Sequence, residues 1–535
     1  MSTLMKGTAI LTIGLFLSKV LGVLYVIPFY ALVGAENIAL YMYAYIPYNL
    51  MLSIAIAGAP LAFSKFVSKY NALGDYETGR KLLKSGLMAM LATGFAAFLI
   101  LFSLAGPLAS IIIADNEQIF TVDDVRNVIR WVSFALIAVP FMSLLRGFFQ
   151  GYNFMTPTAV SQLIEQIVRI LFLLGSAFVI IYLLGGSAET AIQAAVFSAF
   201  IGALGGLVVL YYYWRKKKPE YNELLEESGR PHNIGMKDMY KEIAVYALPI
   251  IFLGSANPLF QFADLLTFNE AMSESVYADV SDVMLGILNF NAHKLVLIPV
   301  MLATGFSMAL IPLITKYFTT DQPRLMTRTL DQTFQILMFL TLPAVAGMMI
   351  LSDELYMVFY EESEFGSAIL ASYLPAAVLF SLFPVTAAIL QGIDRQKWIV
   401  INLGTGLLLK LLLNIPFVRL WEVDGAISAT MVGYSAAIVM NMAVIYSVLN
   451  YKSKIVLRRV LLIGILTAAM AAAAALALIG VDLIIPLDSK LQAILRIMIV
   501  GLAGGAVYAF LGLQTGLAQR LFGDRLTKLT RKFGF

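Results

Sequence analysis

The chain contains no cysteine, which excludes disulfides, thiolate catalysis and cysteine-ligated metal. It has two histidines, His232 and His293, too few for a histidine-rich metal site. Charge is scarce as well. Only 13% of the 535 residues are Asp, Glu, Lys or Arg, while 60% are hydrophobic, a balance that excludes an ordinary soluble domain. Long polar stretches are missing, save one at 215–242 that begins RKKKPEYNELLEE. The net charge of +4 is small; it reflects asymmetry between loops and does not point to nucleic acid. The short loops carry no paired acidic motif with a nearby histidine. That argues against a membrane enzyme such as a polyprenol-dependent glycosyltransferase or ligase.

What is present is apolar sequence. The mean hydropathy is +0.84, and runs of roughly 20 apolar residues, each long enough to cross a bilayer as a helix, recur from end to end. A lipid-facing backbone must satisfy its own hydrogen bonds, so the spacing predicts an all-α polytopic membrane protein. About 14 spans are expected, from 8–31 to 491–513. The first run, about 8–33, is too long for a signal-peptide core and lacks an A-x-A site, so it reads as a retained helix. With the N-terminus in the cytoplasm, about 28 of the 37 Lys and Arg fall in cytoplasmic segments and about 5 in external ones. The pattern predicts both termini on the cytoplasmic side. External segments are acidic instead, as in DNEQIFTVDD (115–124) and EESE (361–364).

The sequence also repeats. GAPLAFSKFVSKY (58–70) resembles GFSMALIPLITKY (305–317) at an offset of 247. LRGFFQGYNFMTPTAVSQLIEQIVRI (145–170) aligns with LQGIDRQKWIVINLGTGLLLKLLLNI (390–415) at 245, which sets Lys410 opposite Glu165. Six spans separate equivalent helices, so the halves share one orientation, an arrangement of transporters with the substrate site between the halves. The expected organisation is an N-lobe at 1–214, a cytoplasmic linker at 215–242 and a C-lobe at 243–449. Residues 450–535 hold spans 13 and 14 and a basic tail.

The ionisable residues inside the expected spans that bear on a site are Lys19, Glu165, Arg169, Asp264, Lys294 and Lys410. At roughly 2.5–3.5 kcal/mol each on insertion scales, they must face protein or water rather than lipid. In the fifth span, Ser161, Gln162, Glu165, Gln166 and Arg169 share one helical face. Glu165 and Arg169, four residues apart, either neutralise each other or line a cavity. Lys19, Lys294 and Lys410 have no acidic neighbour on their own helices, so each either snorkels, meets a remote carboxylate, or joins a cationic cavity for a phosphate or diphosphate. His293 beside Lys294 is a hydrogen-bonding or proton-sensitive group. Asp264 pairs with a lysine or holds a coupling cation. In the thirteenth span, the small residues TAAMAAAAALAL (467–478) suit close helix packing or a shallow apolar wall.

The segment LLRGFFQGYNFMTPTAVSQLIEQIVRI (144–170) resembles the signature of the polysaccharide-transport and MurJ-like branch of the multidrug/oligosaccharidyl-lipid/polysaccharide (MOP) exporter superfamily. SKVLG (18–22) resembles the S-R-x-L-G of lipid II flippases of that branch, with Lys19 at the arginine position. AHKLVLIP (292–299) resembles their A-x-R-L-x-x-x-P, with Lys294 at the arginine position. Two departures stand out: Tyr25 where such relatives carry a second arginine, and IPYNLML (46–52), without the arginine they carry there. The chain is closer in this to the YtgP/SpoVB-like Gram-positive branch.

The resemblance implies two pseudo-symmetric six-helix lobes around a central cavity, plus two helices that form an apolar groove. It implies a non-enzymatic flippase of the bacterial plasma membrane. Its cargo would be an undecaprenyl-diphosphate-linked saccharide, most simply the peptidoglycan precursor lipid II, carried outward by alternating access. The partners implied are this lipid-linked substrate, the bilayer and the cell-wall synthesis machinery. No cofactor is expected beyond a coupling sodium ion or proton. The alternatives are export of another lipid-linked polysaccharide unit, or a MATE-type cation-coupled drug antiporter, whose cavity would be acidic where lysines dominate here.

Overall fold

The computed structural model describes residues 3–56, 58–113, 119–228, 236–451 and 454–522. The 115–118 part of the first acidic loop, the 229–235 part of the polar connection with His232, and the basic tail from 523 lie outside the described residues. Helices make up the described chain, and among these residues there is no strand.

Two compact units divide at Gly286 and Ile287. The first contains α1 (Thr3–Leu24), α2 (Val26–Val33), α3 (Ile38–Ile56), α4 (Ala59–Ala72), α5 (Tyr76–Ile112), α6 (Val122–Ser133), α7 (Ala135–Gly151), α8 (Thr156–Phe178), α9 (Ala188–Glu226), α10 (Met236–Met272) and α11 (Ser281–Gly286). The second contains α12 (His293–Thr319), α13 (Pro323–Ile350), α14 (Ser352–Phe359), α15 (Glu364–Tyr373), α16 (Ala376–Gly392), α17 (Lys397–Leu449), α18 (Lys454–Asp482), α19 (Lys490–Gln514) and α20 (Leu517–Phe522). The boundary therefore does not coincide with the polar connection 215–242. Helix α10 follows that connection, yet it packs on α3, α4 and α5 and so belongs to the first unit by contact.

Among the described residues, thirteen helices are long and apolar enough to cross a membrane. One of them, α17, has 53 residues, about 80 Å of helix and far more than a bilayer needs. It is two helical segments joined across a non-helical break at Trp421 and Glu422, where Glu422 has φ 52°. The expected spans 399–418 and 425–449 are these two segments. Gly425 is needed at the break, because a Cβ there would lie 2.0 Å from the Phe417 carbonyl oxygen.

Helix ends follow local chemistry. Asp75 caps α5 by accepting the Thr78 N–H at 3.0 Å, and Thr121 with Asp124 forms a capping box on α6. Ser187 and Ser489 cap α9 and α19. At the far end of α9, Tyr221 packs on Phe148, Tyr152 and Trp214. Burial pushes the Tyr152 phenol up to about 12, so it stays neutral.

The repeat is present in the backbone, in one place at a different register from the one read in the sequence. After α4, Asp75 N–H donates to Tyr70 O at 3.0 Å; after α12, Gln322 N–H donates to Tyr317 O at 2.9 Å. This turn keeps the offset of 247. After α7, Asn153 has φ 57°, and after α16, Asp394 has φ 56°. Phe154 N–H donates to Phe149 O at 3.0 Å, just as Arg395 N–H donates to Leu390 O at 2.8 Å. These equivalences set FQGYN (149–153) on LQGID (390–394), an offset of 241 and not 245. The left-handed residue that ends the helix decides the register. Lys410 is thereby the counterpart of Arg169, and Gly406 that of Glu165.

Candidate functional site

In the first unit, α8 and α9 make the closest helix pair. Gly202, Gly205 and Gly206 permit it: a Cβ on Gly202 would lie 2.8 Å from Arg169 Cβ and 2.9 Å from Glu165 O. A Cβ on Gly206 would lie 2.6 Å from Met142 Sδ. Small residues let backbones approach in this way, and here they press the polar face of α8 toward α1, α3 and α7.

The Glu165–Arg169 pair is not the interaction formed. Glu165 accepts from Arg146 of α7, Nη2 to Oε2 at 2.7 Å. Arg146 Nε also donates to Ser161 Oγ at 2.9 Å. Arg169 turns instead to α3: it donates to the Tyr45 hydroxyl and to the Tyr41 hydroxyl at 3.4 Å. Its guanidinium lies 5.0 Å from the Tyr45 ring centroid, within cation–π range. Tyr41 and Tyr45 stack at 4.6 Å, and the Tyr25 hydroxyl is 3.4 Å from that of Tyr41. Arg169 thus sends a guanidinium from α8 into the tyrosine cluster that includes Tyr25. The one carboxylate on the stripe is neutralised by Arg146, which leaves Arg169 held by neutral phenols.

Lys19 is exposed on α1, and Asp264 is buried on α10. In the second unit a π-helical turn, Ile287–Ala292, precedes His293, a distortion frequent at functional sites. His293 Nδ1 is 3.0 Å from the Tyr373 hydroxyl, with Tyr373 and Phe380 around its ring. This is the hydrogen-bonding role. Lys294 Nζ sits 3.8 Å from the Phe290 ring centroid. Lys410 is fully buried, and its Nζ donates to Ala426 O at 2.9 Å, across the break in α17.

Sequence reasoning does not single out Arg146, although it stands in the segment 144–170. It also missed the tyrosines. YMYAYIPY (41–48) carries Tyr41, Tyr45 and Tyr48 at helical spacing, a stripe that indicates one shared face. No group of three or more His, Cys, Asp or Glu suited to a metal occurs among the described residues.

Comparison with known proteins places the whole chain in a family. The profile of the polysaccharide biosynthesis protein family matches residues 4–318, and that of the MatE family matches 268–415. The chain is 46% identical to the lipid II flippase MurJ of Bacillus subtilis (strain 168), covering 99% of each. A solved lipid II flippase MurJ in an inward closed conformation has a TM-score of 0.65 at 16% identity, covering 95% of this chain and 98% of that one. An inward-facing MATE family transporter of the MOP superfamily has a TM-score of 0.63 at 16% identity, over 81% and 95%. At such identity the two structures show a shared fold alone. The family profile covers more than half of the chain and the Bacillus subtilis relative covers nearly all of it, so the chain belongs to the polysaccharide biosynthesis protein family, in the MurJ group of the MOP superfamily.

Proposed function

We propose that the protein is a flippase of the bacterial plasma membrane that moves lipid II from the cytoplasmic to the outer leaflet by alternating access. The observation that carries this reading is the 46% identity to the Bacillus subtilis lipid II flippase over both full lengths. Both termini face the cytoplasm in this reading, as the loop charges favour. The protein is a transporter and not an enzyme, and the cycle uses no organic cofactor.

The cations fit the cargo. Each unit holds cations of a kind that suits a phosphate: Lys19 and Arg169 in the first, Lys294 in the second. A point charge suits a phosphate oxygen, and a guanidinium held by phenols keeps its charge available to an anion. Lys410 enters this scheme only through a rearrangement of α17 that uncovers it. The apolar faces of α18 and α19 receive the polyprenyl chain. The MatE profile supports a drug antiporter less well, because it covers only 268–415 and a cationic cargo would meet positive charge. The cell-wall synthesis machinery is the natural consumer of the delivered substrate.

The reading is tested with purified protein in liposomes that carry lipid II in the inner leaflet. Lipid II should become accessible to a reagent added outside, and Lys19→Gln, Arg169→Gln and Lys294→Gln should slow it with insertion intact. Exposure of a different undecaprenyl-diphosphate saccharide, with lipid II left inside, would overturn the substrate assignment.

A further inference from the structure

In the first unit, four elements close on one carboxyl group at the end where α3 and α11 begin and α5 and α10 finish. Asp282 of α11 is 1% exposed and Asn269 of α10 is 4% exposed. The Tyr43 hydroxyl of α3 donates to Asp282 Oδ1. Asn269 Nδ2 lies 2.9 Å from that same Oδ1, 3.1 Å from the Tyr43 hydroxyl and 3.1 Å from the Ile112 carbonyl that ends α5. Two buried oxygens are left over: Asp282 Oδ2 and Asn269 Oδ1 have no hydrogen-bond partner among the described residues. The group cannot easily withdraw, since α11 lies backbone to backbone on α3. A Cβ on Gly286 would be 3.2 Å from Ala39 Cα.

Among the described residues, no cation answers this carboxyl. Helix α3 carries no charged side chain, and neither α10 from Pro249 onward nor α5 from Gly94 onward carries a Lys or Arg. The acids nearby on these elements are Glu270 and Asp279, both exposed, and the buried Asp264. Helix α6, which packs on α3, has Arg126 and Arg130. Arg126 pairs with Asp123 at 2.9 Å, and Arg130 sits 5.0 Å from the Phe102 ring centroid. An ionised Asp282 would therefore be a buried charge supported from the backbone by the Ile119 N–H, beside an Asn269 Oδ1 that has no donor among the described residues, an expensive arrangement.

One proton would answer both defects. On Oδ2 it would make that atom a donor, and Asn269 Oδ1 is the acceptor left without one, while Asn269 Nδ2 already donates to Asp282 Oδ1. The result would be an acid–amide pair closed by two hydrogen bonds. A metal cation would need more free oxygens than the two left here. We propose that Asp282 and Asn269 form a proton-binding site, filled while α10 and α11 are closed on α3 and emptied when they part. The proton comes from water as the O–H bond forms and returns to water when it breaks; no electron moves. This inference does not depend on the identity of the transported lipid.

Infrared spectroscopy of the purified protein at neutral pH tests it. A protonated-carboxyl C=O band should be present, lost in Asp282→Asn, shifted but retained in Tyr43→Phe, and unaltered in its Asp282 component by Asp264→Asn. The cysteine-free chain allows a second readout. Labelling of the buried thiol of Ser281→Cys should rise more steeply with pH in the parent than when Asp282→Asn is added, because the amide keeps the pair closed. Absence of the band at neutral pH, or equal pH profiles in both backgrounds, would overturn the proposal. Should Asp282→Asn fail to fold, the loss or retention of the shifted band in Tyr43→Phe still decides it. A labelling rate that follows sodium at constant pH would assign the site to a metal cation instead.

Discussion

Arg146 and Arg169 reach the same polar face of α8 and do different things there. Arg146 neutralises Glu165, with side chains 13% and 20% exposed. Glu165→Gln strands Arg146, and the expected loss is about 2–3 kcal/mol, below the fully buried range because some solvent reaches both groups. Adding Arg146→Gln should restore part of it, as read from melting in detergent. Arg169→Gln behaves differently: it removes a cation held by phenols, so transport should fall while melting changes little. Restoration of the Glu165→Gln loss by Arg169→Gln, and not by the Arg146 change, would contradict this pairing. Lys410 is fully buried. Lys410→Arg should cost about 1–3 kcal/mol through overpacking, whereas Lys294→Arg, on a half-buried side chain, should be tolerated in both melting and transport.

Among the elements, α8 and α9 depend on the glycine face of α9. Gly202→Val would drive a branched side chain into Arg169 Cβ and the Glu165 carbonyl. A cost of about 1–3 kcal/mol is expected, with a transport loss larger than that seen at other sites of equal destabilisation, since Arg169 is displaced. Gly175→Ala on α8 is the control: a Cβ there meets nothing within 4 Å, and the change should be neutral or stabilising by up to about 1 kcal/mol. Equal transport loss from both changes would mean that the α8–α9 approach does not position Arg169.

For the molecule as a whole, the repeat covers neither α18 nor α19, yet the second unit holds both firmly. Arg496 of α19, 7% exposed at its side chain, pairs with the buried Glu354 of α14 at 2.8 Å and with Asp482. Tyr508 donates to Phe339 O at 2.8 Å, and Arg459 donates to Gln335 at 2.6 Å. Helix α18 turns Met470 and Ala474 inward, where Ala474 Cβ meets Gly504, while Ala472, Leu476 and Ile479 stay exposed. Packing thus occupies one face of the helix, and the opposite face is apolar and exposed. Arg496→Gln should cost about 3–5 kcal/mol, because it leaves a buried carboxylate uncompensated. Arg496→Met with Glu354→Gln should cost less, by melting of the purified protein. Ala472→Leu should impair long-chain but not short-chain substrates if the exposed face carries the polyprenyl tail.

The sequence by itself determined the class. Apolar length and charge scarcity require helices that satisfy their own backbone, and two similar segments disclose the repeat. The 247 register was legible because its matching residues end in the same turn. The second register was not, since LRG and LQG match as well as FQG and LQG until the left-handed Asn153 and Asp394 are seen to end the helices. Partners were the least legible. Spacing of four placed Glu165 and Arg169 on one face, but it could not say that α7 brings Arg146 to one and α3 brings tyrosines to the other. Asp282 has no mark in the sequence that sets it apart; the contacts from α3, α5 and α10 enclose it. Periodicity is a property of one helix, whereas the neutralisation of a charge is decided by whichever helix packs opposite, and only the tertiary structure contains that choice.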